Sequence, residues 1–518
     1  MQRRKFLRTA VGTALSMPLV VNGATLQAMR RSALFNTVNP DNDRVLVLVQ
    51  LNGGNDGLNT IVPVDQYDNL AQVRRNILIP ENDLINLNDT LALHPNFSVL
   101  RDLMDEGKAG VVQGVSYPNQ NRSHFRSTDI WTSGSPADEV WTTGWLGSYL
   151  DNYIDDFPEG YPNAEYPHPF AISMGNSVTE TCQGTVANYS MALSDPFSLA
   201  ALTQSGDTPL PDTPYGWELG FLRNAIAQSN AYGSVITAAA EGGQSLATYP
   251  EDNRLAEQLR NVALLISGGL KTNIYVVNLG GFDTHADQVV DGETGTGEHA
   301  VLLGLLSDAL TAFHEDLRLL GIENRVLSMT FSEFGRRIRS NDSLGTDHGT
   351  AAPLMLFGAC VKPQVLGDNP EIDPQVGVNE GVPMQYDFRD IYGTVLMDWF
   401  EVEEDIVRAL LYEGFTHLPL FNTCELVDTD DLSGNELVLA ASPNPCRNQL
   451  TINFYCPGQA LRLSMFDAVG SEVKVIAARR LPKGQHRIGV DMHELPAGVY
   501  FVRLQIGQKV STKRVVKL

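Results

Sequence analysis

The 518-residue sequence lacks the features that would assign it to several large classes of protein. Beyond the N-terminal segment no run approaches about 18 consecutive apolar residues, so we expect no transmembrane segment. Its five cysteines are too few for a disulfide framework, and the absence of C-x-x-C spacing excludes a zinc knuckle or a thioredoxin-like motif. Basic residues are scarce between residues 32 and 440, where 57 acidic side chains stand against 19 basic ones. This excess of negative charge repels phosphate backbones, so we expect no binding to nucleic acid.

Residues 1–28 have the pattern of an export signal peptide. A basic start, Arg3-Arg4-Lys5, precedes a mildly apolar run at residues 10–21 that is too short and too diluted for a membrane anchor. The paired arginines before Phe-Leu favour a twin-arginine leader. An ordinary secretory leader with a basic start is the alternative.

The last 78 residues, 441–518, differ from the rest of the chain in charge and in pattern. They carry twelve Lys or Arg and four Asp or Glu, and they contain six short alternating runs separated by turn residues. Such runs predict the strands of a small all-β sandwich. The polar and acidic residues 423–440 that precede them predict a linker.

Four phrases in this segment, SPNPCRNQLTI, LSMFDAVGSEV, LPAGVYFVRL and TKRVVKL, resemble the C-terminal sorting domain of the type IX secretion system of Bacteroidetes. The resemblance implies that the type IX secretion machinery is a partner. It also implies a secreted or outer-membrane-surface protein that crosses the periplasm in transit. A carbohydrate-binding module is the alternative, but a basic domain with few aromatic residues offers no evident platform for stacking sugars.

Strands alternate with helices between residues 43 and 422. Buried strands are predicted by continuous apolar runs at residues 44–51, 109–115, 273–279, 325–331 and 354–358. Helices are predicted by the spacing of apolar residues at 97–106, 250–267 and 298–320. This alternation predicts a doubly wound α/β domain with a mainly parallel sheet. Residues 136–248 are richer in Pro, Tyr, Asp and Gly, which predicts an insertion or a lid.

Polar residues stand beside the ends of these predicted strands. Along the chain they are Asp56, Ser123, Arg126, Asp283, His285, Glu333 and His348. Open α/β sheets bind ligands at the carboxyl ends of their strands, and carboxylates with imidazoles suit zinc, manganese and similar ions. We therefore predict one or two divalent cations, with zinc favoured, held by Asp56, Asp283, His285, Glu333 and His348. The alternatives are a turn-shaping role for Asp56 and a structural salt bridge of Glu333 with Arg336 and Arg337.

The layout resembles the alkaline-phosphatase-like superfamily, which includes sulfatases and phosphodiesterases. The segment HPNFSVLRDLMDEGKAGVVQGVSYPNQNRSHFRSTDIWTSG, residues 94–134, is similar to the part of that superfamily that leads to its nucleophile. The resemblance implies Ser123 as a nucleophile and Arg126 as a group that stabilises the oxyanion. Residues 43 to 420 resemble more closely an exported bacterial family of unknown function, through LNGGNDGLNT, NRSHFRSTDIW, GGFDTH, SEFGRR and DHGTAAPL.

Three departures from the superfamily pattern restrict what the resemblance implies. The ligands after the third strand are spaced D-x-H instead of D-x-x-x-H, and Phe334 stands where the superfamily has a histidine. One metal is therefore favoured over two, and His124 or His94 could replace the missing imidazole. Phe125 stands where sulfatases need a proline for their oxidised nucleophile, so sulfatase activity is disfavoured.

The sequence thus predicts a secreted metal-dependent hydrolase of phosphate or sulfate esters. Its substrate would be a small-molecule or polymer ester, attacked by Ser123 or by a metal-activated water. The alternative is a non-catalytic cell-surface protein on a hydrolase-like scaffold, which the missing histidine favours.

Overall fold

The computed structural model describes residues 19–21, 24–26, 42–199, 213–422, 439–442, 446–467, 471–481, 483–493, 495–496, 498–506 and 509–517. The predicted signal peptide, 1–28, lies outside these ranges except for two short strands. The predicted linker lies outside them except for residues 439–440.

Helices and strands both occur up to residue 422, and only strands follow among the described residues. In chain order, the strands up to residue 387 are β1 Leu19–Val21, β2 Ala24–Leu26, β3 Val45–Asn52, β4 Ile61–Pro63, β5 Ile85–Asn86, β6 Leu91–Leu93, β7 Ala109–Ser116, β8 Ala171–Met174, β9 Ser190–Leu193, β10 Ile274–Gly280, β11 Val326–Phe331, β12 Ala352–Phe357, β13 Val365–Leu366 and β14 Tyr386–Asp387. The later strands are β15 Leu439–Ser442, β16 Gln449–Pro457, β17 Ala460–Asp467, β18 Glu472–Arg480, β19 Lys483–Asp491, β20 Gly498–Ile506 and β21 Lys509–Lys517. The α-helices are α1 Gly57–Thr60, α2 Tyr67–Val73, α3 Val99–Asp105, α4 His124–Ser133, α5 Trp145–Tyr153, α6 Pro214–Gly242, α7 Arg254–Ser267, α8 Glu298–Leu320, α9 Phe388–Thr394 and α10 Glu404–Leu410.

A nine-stranded sheet forms the centre of the body. Its order is β13-β7-β12-β11-β3-β10-β8-β9, with β14 paired to β7. Every neighbouring pair is parallel except the two that β12 makes with β11 and β7. The mainly parallel sheet predicted from the sequence is therefore confirmed. Residues 136–248 supply β8 and β9, so part of the segment predicted as an insertion continues this sheet.

Strand β3 shows why the sheet lies between two layers of helices. Its sequence VLVLVQLN alternates two sets of apolar side chains, one on each face of the strand. The odd positions from Val45 to Leu51 join a core that includes residues of α7 and α8. Leu46 and Leu48 join a second core that includes residues of α4, α5 and α9. A strand that is buried on both faces is typical of a doubly wound α/β fold.

The described residues between 439 and 517 form antiparallel sheets around a core of their own. The sheets have the orders β15-β16-β19 and β18-β17-β20-β21. All six predicted strands are present, and their inward side chains, such as Leu450, Leu463 and Val502, build the third core. Among the described helices, none combines the length and apolar composition needed to cross a membrane.

Acid should destabilise the body through two histidines of α8. Burial lowers the pKa of His299 to about 4 and that of His314 to about 3, so both are uncharged in the folded chain near neutral pH. The unfolded chain protonates them near pH 6.5, so below that pH it binds more protons than the folded chain does. Each histidine should then lower the free energy of unfolding by about 1.4 kcal/mol per pH unit until its folded pKa is reached.

Urea unfolding between pH 7 and pH 5 measures this effect. His314→Leu should reduce the loss of stability on acidification, because it removes one group that only the unfolded chain protonates. The exposed His493→Gln is the control and should leave the loss unchanged. An equal pH dependence in wild type and His314→Leu would contradict the explanation.

Candidate metal centre

Loops at the carboxyl edge of the sheet bring three of the predicted metal ligands together. Asp283 and His285 follow β10, and His348 precedes the antiparallel strand β12. The Nε2 atoms of His285 and His348 are 2.9 Å apart. Asp283 Oδ1 lies 3.1 Å from each of these two nitrogens. Three donor atoms from loops distant in sequence therefore face one another.

A fourth donor comes from His124, the first residue of α4. Its Nε2 lies 3.3 Å from Asp283 Oδ2. Donor atoms of His124, Asp283 and His348 lie within 4.8 Å of one another. Although buried, the Nε2 of His124 has no hydrogen-bond partner. We call the set His124, Asp283, His285 and His348 the histidine cluster.

Each imidazole of the histidine cluster is held from behind through its Nδ1 atom. The partners are Glu333 Oε1 at 2.8 Å for His124, Asp347 Oδ1 at 3.0 Å for His285, and the carbonyl oxygen of Arg122 at 2.8 Å for His348. Carboxylates and carbonyl oxygens accept hydrogen bonds, so the hydrogen of each neutral ring sits on Nδ1. All three Nε2 lone pairs are then left to face the cluster, an orientation typical of metal-ligating histidines.

Two facing lone pairs repel unless something accepts them. Burial lowers the pKa of His348, so its ring is neutral near neutral pH and cannot donate from Nε2. The donors of a tetrahedral zinc site, about 2.0–2.1 Å from the ion, lie roughly 3.4 Å apart. The separations of 2.9–3.3 Å in the cluster are close to that spacing. The cluster thus offers one oxygen and three nitrogens, one of which is the unpartnered buried Nε2 of His124. This set of donors fits a divalent cation of the zinc type.

Arg336 anchors the loops that carry the cluster. This fully buried guanidinium donates to the carbonyls of Gly53, Gly54, Phe282 and Thr346 and to Asp283 Oδ1. Burial by itself would raise the pKa of Asp283, but the hydrogen bond and the charge of Arg336 outweigh it and lower that pKa to about 2. Asp283 is therefore a carboxylate at any pH near neutral.

The turn after β3 depends on a glycine. Gly53 has φ of 122°, and a Cβ atom there would lie 2.3 Å from the backbone nitrogen of Asp283. Its own N–H donates to Glu333 Oε1, the atom that also holds His124. Close approach of the β3 turn to the β10 loop thus requires a residue without a side chain.

Asp56 lies away from the open side of the cluster. It is 1% exposed, and both its oxygens accept from Arg74, at 2.9 and 3.1 Å. Gln288 donates to the same carboxylate at 2.7 Å. Burial would raise the pKa of Asp56, but Arg74 and its other partners lower it overall. The side chain is thus the centre of a buried ion pair, and the described contacts give it no part in the cluster.

The other predicted residues occupy different positions around the cluster. Glu333 is buried and contacts His124 instead of joining the donor atoms, so it acts as that ligand's support. Ser123 is exposed and forms the N-cap of α4, next to His124. Arg126 points elsewhere, since its guanidinium donates to the carbonyls of Pro136, Ala137 and Glu139.

His124 was one of two candidates that the sequence offered for the missing imidazole. His94, the other, is buried beside His299. Phe334 stands where the superfamily has a histidine, and its ring packs 4.9 Å from that of His124 and 4.6 Å from that of His348. An apolar ring thus packs against two imidazoles of the cluster.

Removing Arg74 tests the role of Asp56. Arg74→Met should cost about 3–5 kcal/mol in the free energy of unfolding, because it leaves a buried carboxylate without its counter-charge. Urea unfolding measures the loss, and the double variant Asp56→Asn with Arg74→Met should recover part of it. Metal content should be unchanged in Asp56→Asn, and its loss would show that Asp56 is a ligand after all.

Metal content tests the cluster directly. His124→Ala, His285→Ala and His348→Ala should each lose bound metal, because each removes one of four donors. Glu333→Gln should weaken metal binding roughly 10–100-fold, since it changes only the group that orients His124. Elemental analysis of the purified full chain gives the readout, with His417→Ala as the control. Equal metal content in all variants would place the metal elsewhere.

Comparisons with known proteins assign two regions of the chain. Residues 229–399 match a family described as a protein of unknown function (DUF1501), and residues 441–518 match a secretion system C-terminal sorting domain. The second match has the bounds that the sequence predicted. None of the curated proteins compared matches the chain.

Three solved structures illustrate more distant likenesses. A protein of the alkaline phosphatase superfamily from Vibrio parahaemolyticus is 10% identical, with 90% of this chain and 79% of that chain covered and a TM-score of 0.30. A sulfatase from Pseudoalteromonas is 10% identical, with 87% and 84% covered and a TM-score of 0.31. PorZ, a surface component of the type IX secretion system of Porphyromonas gingivalis, is 16% identical over 19% of this chain and 13% of its own, with a TM-score of 0.13.

With TM-scores this low, none of these likenesses bears on the chemistry of the cluster. The two family matches agree with the motifs noted in the sequence. The chain therefore contains a region similar to the DUF1501 family and a C-terminal region that matches a secretion sorting domain, and it is a secreted or outer-membrane-surface protein.

Proposed function

We propose that this chain is a metal-dependent hydrolase of phosphate or sulfate esters. The observation that carries the proposal is the arrangement of three imidazoles, whose Nε2 atoms lie 3.1–3.3 Å from oxygens of Asp283 while each Nδ1 is held by an acceptor on the opposite side. Three nitrogens and one oxygen suit zinc better than calcium, which takes six to eight oxygen ligands. We assign the histidine cluster as the ligand set of one divalent cation, with zinc favoured.

Such a cation, when bound, supplies a Lewis acid that polarises an ester oxygen and lowers the pKa of an attacking hydroxyl or water. The chain's own residues fix the geometry in which this chemistry would act. Arg336 holds Asp283, and Asp347 holds His285. The donor set is thus preorganised, which saves the cost of ordering it when substrate binds.

A positive flank beside the cluster suits an anionic ester. Burial, and then the positive charge of Arg337, lower the pKa of Arg122, whereas Glu380 raises it, and Arg337 itself pairs with Asp347 at 3.0 Å. The carbonyl of Arg122 also holds His348, so this flank is tied to the ligand set. A bound phosphate or sulfate would relieve the repulsion between the two arginines, and arginine retains its charge even when its pKa falls.

Two nucleophiles remain in competition. Ser123 is exposed and lies between Arg122 and His124, both of which take part in the site. Its hydroxyl is the side-chain candidate, and a water activated at the cluster is the other. The contacts of Arg126 leave it out of the proposal, so charge on the reacting ester is assigned to Arg122 and to the cation.

Hydrolysis by the full mature chain tests the proposal. We expect turnover of p-nitrophenyl phosphate, bis(p-nitrophenyl) phosphate or p-nitrophenyl sulfate that is lost with a chelator and restored by zinc. His285→Ala should lower the rate at least about 100-fold, as is typical when a group that stabilises charge in the transition state is lost. His417→Ala, which pairs with Asp398 outside the cluster, is the control.

Ser123→Ala separates the two nucleophiles. An equal loss in Ser123→Ala and His285→Ala would assign the hydroxyl, whereas a rate spared in Ser123→Ala would assign water. A chain that binds metal but hydrolyses none of the three esters would instead support the non-catalytic surface protein. A chain without bound metal would overturn the metal centre and the hydrolase together.

A further inference from the structure

A cleft of about 550 Å³ opens beside the histidine cluster, with His124 and Glu333 in its wall. Its floor is the carboxyl end of the central sheet, where β3, β8 and β10 lie side by side. Its size is that of a small-molecule site, and parallel sheets bind their ligands at this edge. A ligand in the cleft would therefore reach the cluster from the side of His124.

Along one face of the sheet, the side chains change from apolar to polar where the sheet forms the floor of the cleft. On β3, Leu46 and Leu48 are buried in the core, but Gln50 and Asn52 follow on the same face. On the neighbouring strand β10, Asn278 pairs with Gln50 and likewise lines the cleft. Apolar residues thus give way to side-chain amides on adjacent strands just where the sheet meets the cleft.

Several polar groups of the cleft are not used by the protein. Asn278 Nδ2 donates to the carbonyl of Met174 at 3.5 Å, but among the described residues the side chains of Gln50, Asn52, Thr128 and Ser177 make no hydrogen bond to the rest of the chain. Gln50 and Asn52 are partly buried, and polar groups in such positions are normally satisfied. They offer donors and acceptors to a bound molecule that carries several hydroxyl groups.

The charge of the cleft excludes an anion as its occupant. Its walls carry the carboxylates Asp129, Glu180 and Glu333, and they include neither lysine nor arginine. A phosphate or sulfate group would be repelled there and drawn instead to the arginines on the flank of the cluster. The cleft therefore suits the uncharged part of an ester, and the flank of the cluster suits its anionic part.

An exposed ring stands at the wall of the cleft. Phe125 is 87% exposed although it is a large apolar side chain, and it lines the same cleft as the free amides. A flat aromatic ring covers the apolar face of a sugar ring while amides and carboxylates bind the hydroxyls at its edge. This combination of a ring with many hydrogen-bonding groups suits a sugar better than a lipid chain.

We infer that the cleft binds a neutral sugar, the alcohol part of the ester that the cluster would hydrolyse. The substrate class is then a phosphate or sulfate ester of an otherwise uncharged glycan. The role of the sugar as substrate rests on the proposed function, whereas the binding of the sugar stands on the cleft alone.

Calorimetric titration of the full mature chain tests the inference. The probes are neutral tetrasaccharides of gluco, galacto, manno and xylo configuration. We expect at least one of them to bind with Kd of about 1 mM or tighter. Gln50→Met should weaken binding about fivefold or more, the size expected for one lost hydrogen bond. Phe125→Ala should weaken it by a similar factor because it removes the aromatic contact with the sugar ring.

Phe197→Ala is the matched control, because Phe197 is also an exposed ring but does not line the cleft. Absence of binding by every neutral probe would overturn the inference, as would binding that Gln50→Met and Phe125→Ala leave unchanged. Repeating the titration with His285→Ala distinguishes the two proposals. This variant removes a donor of the cluster but no residue that lines the cleft, so it should still bind the sugar. Sugar binding without ester hydrolysis in the wild type would support the sugar site and reject the hydrolase. Hydrolysis without sugar binding would support the hydrolase and reject the sugar site.

Discussion

The site depends on three hydrogen bonds that lie behind the imidazoles rather than between them. An imidazole has two nitrogens, and the acceptor at one decides which way the other faces and whether it carries a lone pair. Glu333, Asp347 and the carbonyl of Arg122 each fix one ring of the cluster in this way. Without these acceptors, nothing would hold the Nε2 lone pairs of the same histidines toward Asp283.

The loops that carry these rings are held by a buried cation. Arg336 is fully buried. It donates hydrogen bonds to backbone carbonyls that follow β3 and β10 and that precede β12, and also to the carboxylate of Asp283. A buried charge is tolerated only when its donors are satisfied, so the loops must close around it in one arrangement. The Gly53 turn allows that closure because no Cβ lies between the two loops.

The two sides of the cluster differ in the charges of their side chains. Arg122 and Arg337 stand on one flank, where Arg337 pairs with Asp347, and the cleft on the side of His124 carries carboxylates and free amides. In a body with so few basic residues, two neighbouring arginines are a distinct feature of the site. An ester has the same division between an anionic group and an uncharged alcohol, which is why the two proposals describe one substrate.

The sequence by itself determined the elements and the edge of the sheet where the site lies. Alternating and continuous apolar runs located β3, β10 and β11 to within about one residue, and the long helix α8 has the predicted bounds. Periodicity also placed Asp283 and His285 beyond the end of β10, because the carboxyl ends of parallel strands share one edge, whereas His348 reaches that edge because the strand it precedes, β12, is antiparallel. The sorting domain at 441–518 was recognisable because its strands and turns are local.

Only the tertiary structure decided which atom of each side chain faces which neighbour. Asp56 lies at the predicted edge, yet Arg74, eighteen residues further on, pairs with it and makes it part of the core. Glu333 turns to His124 and not to the donor centre, and His124, not His94, supplies the further imidazole. Side-chain rotamers at such places are chosen by partners from distant loops, and a linear pattern carries no record of those contacts.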